Sequence, residues 1–359
     1  MKGPKDSFPI ISTKTPGVVK KFDLNNPAER KEYFEAKVGE EIKKLKEYLK
    51  GNTFIAYFLG KKNSGKGTYT KLMAEIFGAD KIGHISVGDL VRSTYKDIND
   101  PVKREEILEY LKKNYRGYIS VEDAIDALIG KNQKVLLPTE FIIALVKREI
   151  DKFNKKAIFL DGFPRDLDQI QYALYFRDLA NYREDPDIFI AINIPESVVD
   201  ERMRNRVVCP KCQAPRNLTT FPTKEVGYDK ESKKYFLMCD NPECNSARLV
   251  GKEGDDAGIE SIRDRLELDD KLIKKAMSLH GIPKILLRNA VPVSSLNKDV
   301  DDYEITPKYV FKYNEQTEKV DITEEPWVVK DDEGLDSYSL LAPPVVVGLI
   351  KQLVQALEL

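Results

Sequence analysis

Nine residues, GKKNSGKGT from Gly60 to Thr68, concentrate glycine, lysine and hydroxyl side chains between the apolar run FIAYFL and the helix-like stretch YTKLMAEIFG. Glycines let a backbone curl with its N–H groups facing inward, and a helix start adds positive potential, so such a turn suits an anion. Gly60, Gly65 and Lys66 satisfy G-x-x-x-x-G-K, but Gly67 comes next and the hydroxyl of the strict pattern is displaced to Thr68. An ordinary glycine-rich turn is the competing reading, and the placement between strand and helix weighs against it.

The second chemical cluster is sulfur. All four cysteines lie between 209 and 244, as CPKC and CDNPEC, giving C-x2-C, twenty-six residues, then C-x4-C. Cys209, Cys212, Cys239 and Cys244 suit tetrahedral Zn²⁺, with disulfides and free thiols as alternatives; a long chain in a reducing compartment disfavours disulfides. Four thiolates leave no open position for water, so the ion would be structural.

The elements that must position these residues can be read from periodicity. FIAYFL (54–59), IGHIS (82–86), AIFLD (157–161) and IFIAINI (188–194) are strand-length apolar runs separated by helical stretches, which predicts an α/β fold with a parallel sheet covered on both faces. Ligands then belong at the carboxyl edge of the sheet. Phe34, Val38, Ile42, Leu45 and Leu49 recur at helical spacing and predict an amphipathic helix that packs on the core or on a partner. Residues 92–139 read as charged helices, 207–256 as a small metal-stapled lobe, and 259–279 as a further helix. AVPVSSL, YVFKYN, KVDI and PWVVKD are unranked strand candidates, and Pro343 and Pro344 introduce a last helix.

With 58 Lys+Arg against 59 Asp+Glu the net charge is −1, which gives no general attraction to nucleic acid or membrane. No run approaches the roughly 18 apolar residues of a membrane helix, and MKGPKDSFPIIST lacks a signal-peptide apolar region. The expectation is a cytoplasmic monomer.

G-K-G-T, together with HISVGDLVR (84–92), LPTEFIIALVKREI, LDGFPRDLDQ (160–169), ERMRNRV (201–207) and DDAGIESIRDRL (255–266), resembles in order the motifs of nucleoside monophosphate kinases, in particular adenylate kinases with a zinc-bearing LID. The resemblance implies a three-layer P-loop fold with a central parallel sheet, an inserted helical NMP-binding lobe and a zinc-stapled LID. It divides the chain into an N-terminal extension (1–50) and a kinase domain (51–359): CORE (51–90, 140–205, 257–359), NMP-binding lobe (91–139) and LID (206–256). It implies phosphoryl transfer from MgATP to AMP, with UMP or CMP as the alternative acceptor. Catalysis would be electrostatic and need no base.

Carried onto this sequence, Gly60, Asn63, Ser64, Gly65, Lys66, Gly67 and Thr68 hold the ATP phosphates, and Arg202 covers the donor adenine. Lys66, Arg165, Arg206, Arg263 and Arg265 surround the transferring group. Val87, Arg92, Gly162, Arg165 and Gln169 bind the acceptor, and Asp89 and Asp161 hold waters of Mg²⁺. Gln169 favours AMP, since an amide offers a donor and an acceptor to adenine; Val87, where the family usually has Thr, leaves UMP and CMP open. Lys252 stands where a LID arginine is usual, the acceptor lobe is about twenty residues long beyond the family's hairpin, and an insertion lies between Ala290 and Leu341. From a different class, a non-catalytic nucleotide- or RNA-binding zinc-ribbon protein is opposed by the balanced charge.

Overall fold

A computed structural model describes residues 8–130, 137–153, 155–164, 182–252 and 254–359. Five parallel strands form the central sheet: β1 (Ile55–Gly60), β2 (Ile82–Ser86), β3 (Ala157–Asp161), β4 (Asp187–Asn193) and β10 (Lys284–Arg288), in the order β10-β4-β1-β3-β2. The four runs expected from sequence are strands, two of them shifted by one residue. The fifth, KILLR, has too few apolar residues between its Lys and Arg ends to announce itself.

Alternation along β1 sorts side chains onto two faces. Ala56 and Phe58 join a core with Phe159 and Ile190 beneath helices α1 (Pro27–Tyr48), α2 (Lys66–Phe77) and the C-terminal α9 (Ala342–Ala356). Ile55, Tyr57 and Leu59 face the opposite core with α3 (Val87–Asp97), α6 (Thr139–Lys152) and α8 (Arg263–Met277). Helix α1 thus buries Phe34, Val38, Ile42 and Leu45 in this chain's own core. A buried polar network fastens the same helix: the fully buried Glu304 carboxylate accepts from the Tyr33 hydroxyl and the Asp301 N–H (2.6 Å), and Lys37 Nζ lies 2.8 Å from Asp301.

Register aligns the carboxyl ends where chemistry is expected. Phe58 and Ser86 both pair with Asp161, and Gly60 pairs with Ile192. From that edge, α4 (Pro101–Asn114) and α5 (Val121–Leu128) follow α3 as a helical insertion. Helix α7 (Glu196–Arg204) leads into short antiparallel strands, β5 (Arg206–Val208), β6 (Pro215–Asn217), β7 (Val226–Asp229), β8 (Lys234–Leu237) and β9 (Val250–Gly251).

The late region resolves into β11 (Ala290–Pro292), β14 (Val328–Lys330) and β15 (Asp336–Ser339) in one small sheet, with β12 (Pro307–Asn314) and β13 (Lys319–Pro326) as a separate hairpin. AVPVSSL is a strand only over its first three residues. The polar DSYS of β15 was not foreseeable: Ser337 and Ser339 are buried because they donate to Asp331 (3.2 Å) and Asn289 (2.9 Å). The hairpin lies against the cysteine lobe. Tyr309 N–H donates to the Thr219 carbonyl (2.7 Å), and the Tyr313 ring stacks on Tyr228 at 4.6 Å.

Candidate functional site: the glycine-rich loop and its cations

The loop departs from strand geometry at two points. Asn63 has φ 63° and Gly65 φ 100°, and a Cβ on Gly65 would come within 2.7 Å of the Tyr69 ring, so only glycine fits there. Gly65 is the N-cap of α2 and no side chain caps the helix, leaving its first N–H groups for a ligand. Thr68 is exposed on the first turn and Ser64 is buried beneath the loop.

Lys66, the first residue of α2, curls back over the turn. Its Nζ donates to the carbonyls of Gly60 (2.8 Å) and Lys61 (3.0 Å) and lies 3.7 Å from Asp161. Gly60, Lys66, Asp161, Gly162, Arg265 and Asp269 enclose a cavity of about 30 Å³. That is room for about one water. A phosphate entering must draw Lys66 away from the two carbonyls and open the pocket.

Asp269 is a member of this cluster that sequence reasoning missed. It is buried and 2.8 Å from Arg265, one helical turn earlier on α8. Burial pushes its carboxyl above the ordinary value, against the opposing pull of Arg265 and Lys66. The i,i+4 spacing from Arg265 was the available signal.

The arginines on α7 and just past it close on the loop from the other side. Arg202 Nη1 donates to the Asn63 carbonyl (2.9 Å) and Arg206 Nη1 to the Asn63 side-chain oxygen (2.8 Å). Arg206 is also paired with the buried Asp255, which lies 3.5 Å from Lys62. Burial, with Arg206 and Lys62 close by, holds the Lys252 ammonium below its ordinary value. Asn289, buried and unforeseen, donates to the Tyr69 hydroxyl (3.1 Å) behind this group.

Other expected residues stand apart from the cavity. Arg263 is held by Glu196 (2.9 Å) and Glu260 (2.5 Å). Arg92 is exposed and paired with Asp89, three residues earlier on α3. Burial raises the Asp89 carboxyl, but hydrogen bonds from Arg92 and Ser86 prevail and leave it below the ordinary value. Val87 is fully buried at the start of α3. Arg165 and Gln169 lie outside the described residues.

In the cysteine lobe the four sulfurs lie within 4.8 Å of one another, and Cys212 and Cys239 are 3.7 Å apart. A tetrahedral shell with Zn–S bonds of about 2.3 Å separates neighbouring sulfurs by about 3.8 Å, so the donors fit that ion. No two of the four are bonded to each other, and their clustering at one point suits a shared ion. The longer second spacer is taken up by a 3₁₀ turn, Pro242–Cys244, capped by Asn241. The backbone N–H of Cys212 draws the Cys209 thiol down to about 6, while burial pushes Cys244 up to about 12.

No protein-family model matches the chain. Among curated proteins, the adenylate kinase of Thermotoga petrophila is 34% identical over 171 residues, 47% of this chain and 65% of that protein. The adenylate kinase of Thermotoga neapolitana is 28% identical over 232 residues, 64% of this chain and 87% of its own length. That of Clostridium acetobutylicum is 30% identical over 214 residues, 59% of this chain and 80% of its own. Long similarity to these proteins, joined to a glycine-rich loop at the carboxyl edge of a five-stranded parallel sheet, places the chain in the adenylate kinase family.

Proposed function

We propose that the protein transfers the γ-phosphoryl group of MgATP to AMP, giving two ADP. The observation that carries the reading is the convergence of Lys66, Asp161, Arg265 and Asp269 on one cavity, while Arg202 and Arg206 grip the same loop through Asn63. Phosphoryl transfer spreads negative charge over oxygens in an in-line transition state and asks for positioned cations and N–H donors rather than a base. Lys66 and the open N–H groups of α2 hold the donor phosphates, and Arg206 and Arg265 bracket the group in transit. Arg165 with Arg92 takes the acceptor phosphate.

Mg²⁺, when bound, neutralises phosphate charge and orients the oxygens. Asp161, beside Lys66, would hold the ion through its bound water, and Asp89 would do the same once Arg92 turns to the acceptor. Zn²⁺ on Cys209, Cys212, Cys239 and Cys244 stiffens the LID. Closure of LID and acceptor lobe excludes water that would otherwise take the phosphoryl group.

Val87 leaves a second reading open, because a hydroxyl-free side chain at the acceptor end does not exclude UMP or CMP. The test is a panel of AMP, UMP, CMP, GMP and dAMP with MgATP, following ADP formation. AMP among the best acceptors supports adenylate kinase; preference for a pyrimidine transfers the conclusion to the second reading; hydrolysis without any acceptor dependence contradicts both.

A further inference from the structure

Lys61, the second residue of the glycine-rich loop, is 3% exposed and too far beneath the turn to meet solvent. A buried ammonium needs a counter-charge. It finds one 271 residues away in sequence: Lys61 Nζ lies 3.1 Å from Asp332 Oδ2, with Glu196 at 3.6 Å and the Ile194 carbonyl at 3.5 Å. The Asp332 side chain is only 12% exposed. Its other oxygen, Oδ1, accepts the N–H of Glu196 at 2.8 Å and so caps α7, whose own N-cap, Pro195, has no side chain that can do so.

The turn that presents Asp332 is itself fixed. Asp331 accepts the N–H groups of Glu333 (3.0 Å) and Leu335 (2.9 Å) and pairs with Arg288 of β10 at 3.2 Å. Ser197 adds a hydrogen bond from α7 to the Lys330 carbonyl at 2.7 Å. One carboxylate therefore joins three parts of the site: the turn of the late insertion, the loop through Lys61, and the helix that carries Arg202. Lys61 in turn offers its carbonyl to Lys66 Nζ at 3.0 Å and to the Ser64 N–H at 3.1 Å.

We propose that Asp332 is a positioning residue for the ATP phosphates, acting through Lys61 to fix the loop against the start of α7. The proposal rests on the reading of the loop as an ATP site. Freed from Asp332, the Lys61 ammonium moves toward water and takes the loop backbone with it, so the N–H nest loses its shape. A second effect has the opposite sign, because removing a carboxylate near a triphosphate raises the local positive potential. A buried ion pair deprived of its nearer partner is the larger perturbation, since the Lys61 ammonium is left with Glu196 at 3.6 Å and must shift to be solvated.

Calorimetric titration with MgATP, and separately with AMP, of the wild type, Asp332→Asn, Lys61→Met and the double variant decides the matter. Asn keeps the shape of Asp and its cap on Glu196, and Lys61→Met reaches the same contact without touching the cap. Each single variant is expected to weaken MgATP binding about tenfold, the scale of one charge-assisted contact. The double variant should be no weaker than either single one, and AMP binding should not change. Unchanged or tighter MgATP binding in Asp332→Asn, or additive losses in the double variant, overturns the proposal while leaving the ATP site intact. A wild type that binds no MgATP overturns the site reading and the proposal together.

Discussion

The two walls of the site are built in different ways. The loop wall is contiguous: β1, the turn and α2 occupy residues 55–77, and Lys66 sits where a strand hands over to a helix. The opposite wall, on the cysteine lobe, is assembled from afar. Arg206 reaches Asn63 across 143 positions, and the cysteine lobe that carries it rests on a hairpin that begins at Pro307. The first wall is fixed by the sheet; the second rests on a cluster of four cysteines on one side and on aromatic packing on the other, Tyr228 and Tyr235 against Tyr313 and Phe311. The local wall keeps its frame when distant contacts are lost, the Asp332 contact beneath Lys61 apart, whereas the assembled wall loosens tether by tether.

The largest effect should come from the loop wall. Lys66→Met removes the ammonium that bridges the Gly60 carbonyl and the cavity, and turnover should fall by about a hundred- to a thousand-fold with little change in melting temperature. A stopped assay of ADP formation alongside a thermal melt checks it, and a melt that collapses would show that the loop wall is not independent of its ligand chemistry.

Next comes the metal tether. If the four cysteines hold zinc, a chelator, or Cys239→Ser, should separate a low-temperature transition from the main melt, because the small core around Cys209 and Cys244 would lose its ion. A single unshifted transition would mean that the hairpin alone holds the cysteine lobe. Cutting the second tether is milder: Tyr313→Ala removes one stacked ring pair, about 1 kcal/mol. Hydrogen exchange should rise in 226–237 and stay unchanged in 55–77.

The smallest effect is in the pH dependence of stability, where two carboxylates should act with opposite sign. Asp269, in the site, has a raised pKa: just above the ordinary 3.8 the folded state holds more protons than the unfolded, so this group's contribution falls as pH rises. At Asp301, in the network under α1, burial pushes upward but the hydrogen bonds of Lys14 and Lys37 prevail and lower the pKa. Its contribution is present above 3.8 and lost as pH falls through the lowered value. Urea unfolding from pH 3 to 6 of Asp269→Asn and Asp301→Asn should therefore show slopes altered in opposite directions.

This contrast also explains what could be read in advance. The strands, the loop, the paired cysteines and the helix of Phe34 to Leu45 are written in short runs whose period or spacing is their signal. Asp332, Asn289 and Tyr313 carry no such signal, because each matters only for a partner far along the chain: Lys61, Tyr69 and Tyr228. In the 290–341 insertion YVFKYN, KVDI and the VVK of PWVVKD are strands as expected, but their pairing could not be ranked because it is set by docking on the cysteine lobe and, through β15, on β11 rather than by an apolar face of their own. Asp269 was nearest to being found, one turn from an arginine already singled out.

The most direct test of the convergence of the two walls is a crystal structure with a bisubstrate analogue, two adenosines joined by five phosphates. Lys66, Arg206 and Arg265 should release Gly60, Asn63 and Asp269 and place their nitrogens about 3 Å from phosphate oxygens. Phosphates bound elsewhere, with those three side chains still on their present partners, would contradict it.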